Sequence, residues 1–166
     1  TTIKMSKTED FLTSKQESKV VEAIRIAEKN TSGEIRVHIE EKSEKPPIER
    51  AKEVFNRLEM YKTEARNGVL FYINVSGNQF AIIGDEGIDK VVPTDFWEST
   101  KEIVLKNFAE KKNKKGLVKG IKKAGEQLKH YFPYQSDDTN ELSNMVFDSI
   151  FDLISEVVGY DAKKIR

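Results

Sequence analysis

The chain has 166 residues, 28 Lys and Arg against 28 Asp and Glu, a formal net charge of 0 and no cysteine. This length buries a full core without covalent staples, and the missing thiols exclude a disulfide framework, a thiolate zinc site and a cysteine nucleophile. A balanced charge gives no global field for nucleic acid or an anionic membrane surface, and no apolar run approaches the roughly 20 residues of a bilayer span, so a soluble, cytoplasmic monomer is expected, its Met-less start pointing to a trimmed N-terminus.

Residues 1–9 show no pattern and read as an arm. Ser14 with Glu17 has capping-box spacing, and Val20, Val21, Ile24 and Ala27 share a helical face, which predicts a first helix ending in the stop residues 30–33. Residues 34–40 alternate strictly, Ile35, Val37 and Ile39 against Arg36, His38 and Glu40, which predicts a strand with one face partly in water and His38 at the surface or rim. Pro46 and Pro47 suit the first turn of a second helix, with Ala51, Val54, Phe55 and Leu58 as its apolar stripe.

Gly68 to Val75 has the β-branched and aromatic content of a buried strand, Ser76-Gly77-Asn78 is a tight reversal, and Gln79 to Ile83 returns as another strand. Strand, helix and strand joined by short loops make a right-handed βαβ unit with parallel strands, to which the hairpin adds an antiparallel one. Gly84-Asp85-Glu86-Gly87 then sets two carboxylates between glycines and ends the strand.

Pro93-Thr94-Asp95 starts a third helix, with Glu98 completing the cap and Phe96, Trp97, Ile103, Val104 and Phe108 inward. After a break at 111–116, Leu117, Ile121, Ala124 and Leu128 mark a fourth helix that closes at Pro133. The core domain is thus expected over 10–134, followed by an acidic linker at 135–141 and an amphipathic helix at 142–166. In that last segment Leu142, Met145, Val146, Ile150, Leu153, Ile154 and Val157 keep a helical period, with Asp148, Asp152 and Glu156 in the gaps. Acids where a membrane-surface helix carries Lys and Arg favour packing on the fold itself or on a protein partner. The lysines of 111–115 lack interleaved aromatics and read as a solvated turn, so no nucleic-acid partner is expected.

Parallel pairing puts Gly33, Glu34 and Asn67 on one edge of the sheet, and the antiparallel strand ends on that edge at Gly84. Asp85, Glu86 and Asp89 therefore adjoin them, the third helix leaves from that side at Asp95, and the fourth returns to leave Asp137 and Asp138 nearby. Carboxylates, an amide and free carbonyls, with neither Cys nor His, are ligands for a hard cation such as Ca²⁺ or Mg²⁺. The same acids also read as solvated loop residues and caps, Asp95 as an N-cap alone.

The ordered set Thr31-Ser32-Gly33-Glu34-Ile35-Arg36-Val37, Asn67-Gly68-Val69-Leu70, Ile82-Ile83-Gly84-Asp85-Glu86-Gly87-Ile88, Val92-Pro93-Thr94-Asp95 and Gly116-Leu117-Val118-Lys119-Gly120-Ile121 resembles the TPM domain. That family includes thylakoid-lumen acid phosphatase-like proteins and bacterial proteins without assigned activity. The resemblance implies an α/β fold, a three-layer α/β/α sandwich with a small mixed sheet. It also implies a divalent cation, usually calcium, on the Gly33 carbonyl and the Asp95 carboxylate, with Asp85 or Glu86 close by; Asp138 is inferred from the returning helix, and Glu34 and Asn67 complete the set. The expected function is non-catalytic cation binding, with a metal-dependent acid phosphatase and an adaptor acting through the C-terminal helix as alternatives. Many family members carry a signal peptide, an anchor or a glycine-rich tail; the sequence shows none of these, so a thylakoid or envelope role does not transfer.

Overall fold

Three strands, β1 (Glu34–Glu40), β2 (Gly68–Asn74) and β3 (Gln79–Gly84), form one sheet in the order β1-β2-β3 in the computed structural model, which describes residues 11–134. β1 runs parallel to β2 with Glu34 opposite Gly68, and β2 runs antiparallel to β3 with Val69 opposite Gly84. Every residue of β2 is buried, the pattern of a central strand covered on both faces.

Alternation along β2 divides the core in two. Val69, Phe71 and Ile73 join Ile35, Val37 and Ile39 of β1 against α1 (Ser14–Glu28), α4 (Glu98–Ala109) and α5 (Asn113–Tyr131). Leu70 and Tyr72 face Ala51, Val54 and Phe55 of α2 (Pro47–Arg57), with Met60 from the 3₁₀ turn that follows. Between β3 and α4 lies a single-turn helix, α3 (Glu86–Asp89). The architecture is the expected three-layer α/β/α sandwich.

Three local expectations are corrected. The capping box of α1 uses Thr13 and Gln16 rather than Ser14 and Glu17: the Gln16 amide donates to Thr13 Oγ1 at 3.2 Å, and the Thr13 amide to Gln16 Oε1 at 2.9 Å. Glu17 is buried instead. α4 starts at Glu98, and Asp95 contributes its carbonyl to a turn, accepting from the Glu98 amide at 3.0 Å, while its carboxylate caps nothing. The second face of β1 is not in water either: His38 and Glu40 are both buried. Strict alternation marks polarity, but α2 covers that face and supplies Arg50, so the polar residues are paired rather than solvated.

The pairing is specific. Arg50 meets Glu40 in a fork, Nε to Oε2 at 2.9 Å and Nη2 to Oε1 at 2.9 Å; Tyr72 donates its hydroxyl to Oε2, and His38 Nε2 lies 3.7 Å from Oε1. Burial by itself raises the Glu40 pKa, but the neighbouring His38, the Arg50 fork and the Tyr72 hydroxyl outweigh it and hold the carboxyl at about 2. Residues 1–10 and 135–166 lie outside the described residues, and with them the predicted arm, acidic linker and C-terminal helix.

Candidate functional site

The register of the sheet decides which loops meet. β1 and β2 open side by side, and β3 ends at the same edge, where the Asp85 amide donates to the Gly68 carbonyl at 2.9 Å. A Cβ on Gly33 would stand 3.3 Å from the Asn67 carbonyl oxygen, so these two backbones touch. Asn67 Nδ2 donates to Ser32 Oγ at 3.1 Å, tying the second opening loop to the first. Gly33, Asn67 and Asp85 are thereby brought together from three segments.

The other predicted acids are placed differently. Glu34 pairs with Arg36 on its own strand, at 2.6 Å. Glu86 is exposed and pairs with Arg66 Nη1 at 3.0 Å. Asp95 is exposed in the turn before α4, two residues ahead of Trp97, whose Nε1 would lie 3.4 Å from a Cβ on Gly84. Asp138 lies outside the described residues. Among the described residues no three His, Asp or Glu side chains form a cluster able to hold a metal ion by themselves.

Arg66 is the site residue the pattern analysis missed. It clamps Asp85 through Nε to Oδ2 at 2.8 Å and Nη2 to Oδ1 at 2.9 Å, while Oδ1 also accepts the Glu86 amide at 2.8 Å and so caps α3. Three donors thus occupy the carboxylate, two on Oδ1 and one on Oδ2. Arg66 sits at φ 51°, a left-handed conformation unusual for a branched or long side chain. A signal for it does exist: carrying the β2–β3 register past Val69 and Gly84 sets Arg66 opposite Gly87, and the Gly87 amide donates to the Arg66 carbonyl at 2.9 Å. A cleft of about 250 Å³ beside the clamp, lined in part by Lys52 and Phe55 of α2, leaves Arg66 room to move.

Two buried polar atoms at this edge have no hydrogen-bond partner: Asn67 Oδ1 and Trp97 Nε1. Asn67 is 1% exposed, so its amide oxygen is cut off from bulk water.

Glu28, at the end of α1, lies beside the same opening and was not marked by any motif. Its Oε2 accepts the Ile35 amide of the edge strand at 2.8 Å. Burial, and then the charge of Glu34, push its carboxyl up to about 8 despite the opposing Ile35 hydrogen bond and Arg36. With a folded-state pKa above the ordinary 4.5, the native protein holds a proton that the unfolded chain releases, so Glu28 makes stability fall as pH rises from about 4.5 to 8. Glu28→Gln, which keeps an acceptor for Ile35, is expected to flatten that slope and to gain about 2 kcal/mol over the parent at pH 8. Urea unfolding at several pH values measures it, and parallel pH profiles for the two proteins would contradict the assignment.

The family model described as TPM domain matches residues 5–127. Among solved structures, the NMR structure of the BA42 protein from the psychrophilic bacterium Bizionia argentinensis is similar at 50% sequence identity and a TM-score of 0.74, over 78% of this chain and 90% of that one. No protein of curated function matches.

Proposed function

The chain belongs to the TPM domain family, and from that premise we propose that it is a non-catalytic module that binds a divalent cation, Ca²⁺ or Mg²⁺, at the open edge of its sheet. The observation that carries this reading is the Asn67 amide oxygen, buried without a donor. An acceptor left in that state costs about 1–3 kcal/mol, and a hard cation removes the cost by taking a neutral oxygen as ligand.

The donor set fits such an ion. Asn67 Oδ1, the Gly33 carbonyl and the Asp95 carboxylate would hold it, all oxygen and with no soft ligand among them. Asp85 and Glu86 would join only when Arg66 gives them up, and the Arg66 side chain, 41% exposed, is free on its outer side to do so. Glu34 and Asp138 belong to the same proposal as more distant acids. The bound ion would supply fixed positive charge that joins loops distant in sequence, adding stability by mass action.

Thermal unfolding with added calcium or magnesium tests this. At a ligand concentration of 100 times Kd the gain is about 2.7 kcal/mol, and at about 2–4 °C per kcal/mol a rise of several degrees in Tm is expected. Asn67→Ala and Asp95→Asn should lose it. An unchanged Tm at millimolar metal, or a rise that persists in both variants, overturns the reading. Cation-dependent hydrolysis of a simple phosphate ester that is lost in the same variants would replace a passive module with a phosphatase.

A further inference from the structure

Away from the sheet edge, α1 and α5 leave a groove of about 440 Å³ between them. The two helices run the same way. Asn113 Nδ2, at the start of α5, donates to the Phe11 carbonyl just ahead of α1 at 3.2 Å, and further along both helices Gly125 meets Ala27, where a Cβ would come within 2.7 Å of Ala27 Cβ. Neither position carries more than a methyl group, so the helices close up beneath the groove and leave it an apolar floor of Ala23 and Ile26 from α1 and Val118 from α5. Ile26 is 51% exposed.

The rim is basic. In a chain whose formal charge is 0, α5 carries six lysines and a single acid, Glu126. Lys114, Lys122 and Lys129 recur about every two turns and so border the groove along one wall, with Lys19 on the wall of α1. Of the two acids along the groove, Glu22 is taken by Arg25, whose Nε donates to it at 3.0 Å. Among the described residues no carboxylate lies within ion-pair reach of the four lysines. Positive charge is densest where Lys19 and Lys114 stand, because both helices begin at that end and the positive ends of their dipoles add to the lysines; Glu126 lies toward the other end, with Lys129 and Asn30.

We propose that this groove binds a single-chain anionic amphiphile, a long-chain carboxylate, with its head between Lys19 and Lys114 and its acyl chain laid along Val118, Ala23 and Ile26. Size separates this occupant from a protein helix. A volume of about 440 Å³ falls within the range of about 300–1,000 Å³ typical of small-molecule sites. A helix of about 10–12 Å diameter would rest on the two helix walls rather than enter between them. An acyl chain gains free energy with each methylene it removes from water along the floor, and a carboxylate answers the unpaired lysines at the rim without itself being buried.

Titration of the ¹⁵N-labelled full chain with dodecanoate below its micellar concentration tests this. Amide NMR signals of residues 19–27 and 114–122 should shift saturably, while those of α2 stay fixed. Dodecyltrimethylammonium, with the same chain and the opposite charge, should bind at least about tenfold more weakly, and Lys19→Gln with Lys114→Gln should weaken dodecanoate about tenfold without moving the urea midpoint. Ile26→Glu, a change at an exposed position, should abolish binding. Absence of any shift, equal affinity for the two amphiphiles, shifts spread evenly over α2, or unchanged affinity in either variant overturns the proposal. So do groove signals that move with protein concentration alone, since a second copy then fills the groove. Sedimentation with phosphatidylglycerol vesicles by a protein that ignores free dodecanoate overturns it as well, and makes this face a membrane-docking surface.

Discussion

Arg50→Ala is expected to lower the unfolding free energy by about 3–5 kcal/mol at neutral pH. Glu40 is 1% exposed and sits under α2, where the guanidinium forks across both its oxygens and Tyr72 adds a hydroxyl. Removing the cation leaves a buried carboxylate with neutral donors only, and the interior supplies little to replace the lost hydration. The pH dependence identifies the cause. Glu40 is held at about 2 in the folded protein, below its ordinary 4.5, so it contributes stability that is complete above 4.5 and is lost as pH falls toward 2. Without Arg50 that depression shrinks, and the gap between parent and variant should narrow steadily between pH 5 and pH 3. Glu40→Gln placed on top of Arg50→Ala should recover part of the loss by removing the stranded charge. Urea unfolding at pH 7 and pH 3 measures both effects, and a deficit that stays constant with pH would mean lost packing rather than lost charge pairing.

Gly87→Ala is expected to cost about 3 kcal/mol and to disorganise the candidate site with it. The α3 turn lies directly on the segment that precedes β2: a Cβ at position 87 would be 2.6 Å from the Arg66 carbonyl oxygen, and closer still to that of Ala65. Both are backbone atoms, held by the neighbouring strand, so neither can yield as the tip of a side chain would. The requirement at Gly87 is space, since no glycine among the described residues has a positive φ. Making room there means lengthening the Gly87 to Arg66 hydrogen bond, and Arg66 is the residue that clamps Asp85. The expected signature is a lowered urea midpoint together with faster amide exchange at Gly87 and Asp85, whose amides bond Arg66 and Gly68 across this junction. A variant within about 0.5 kcal/mol of the parent would show that the junction moves freely and that the clamp does not depend on it.

Much of the fold was legible in the residues. β1 lies at the predicted 34–40 because its alternation is unbroken, β2 over nearly the predicted span because a run of β-branched and aromatic residues between Gly68 and the Ser76 reversal admits little else, and α5 on the predicted Leu117, Ile121, Ala124 and Leu128 face. From these the parallel pairing followed, and with it the edge on which Gly33, Asn67 and Asp85 meet. Helix starts were less legible. Thr13 and Ser14 are both competent caps one residue apart, and the choice is made by Gln16 reaching back to the Thr13 amide. At α4, the backbone turn of Pro93–Trp97 takes the role that Asp95 was expected to fill with its side chain.

The sequence by itself determined where strands and helices form, which way the strands run, and therefore which loops share an edge, because periodicity and chain connectivity are local properties that a few residues can dictate. Only the tertiary structure decided what the charges do. Arg50 closing over Glu40, Arg66 taking Asp85 and Glu86, the Glu28 carboxyl pushed toward its protonated form against Ile35 and the Asn67 oxygen left without a donor are all outcomes of burial and of partners 7 to 20 residues away where a partner exists. The free energy of a charge depends on its dielectric surroundings and on its nearest counter-charge, and neither quantity exists until the layers have closed.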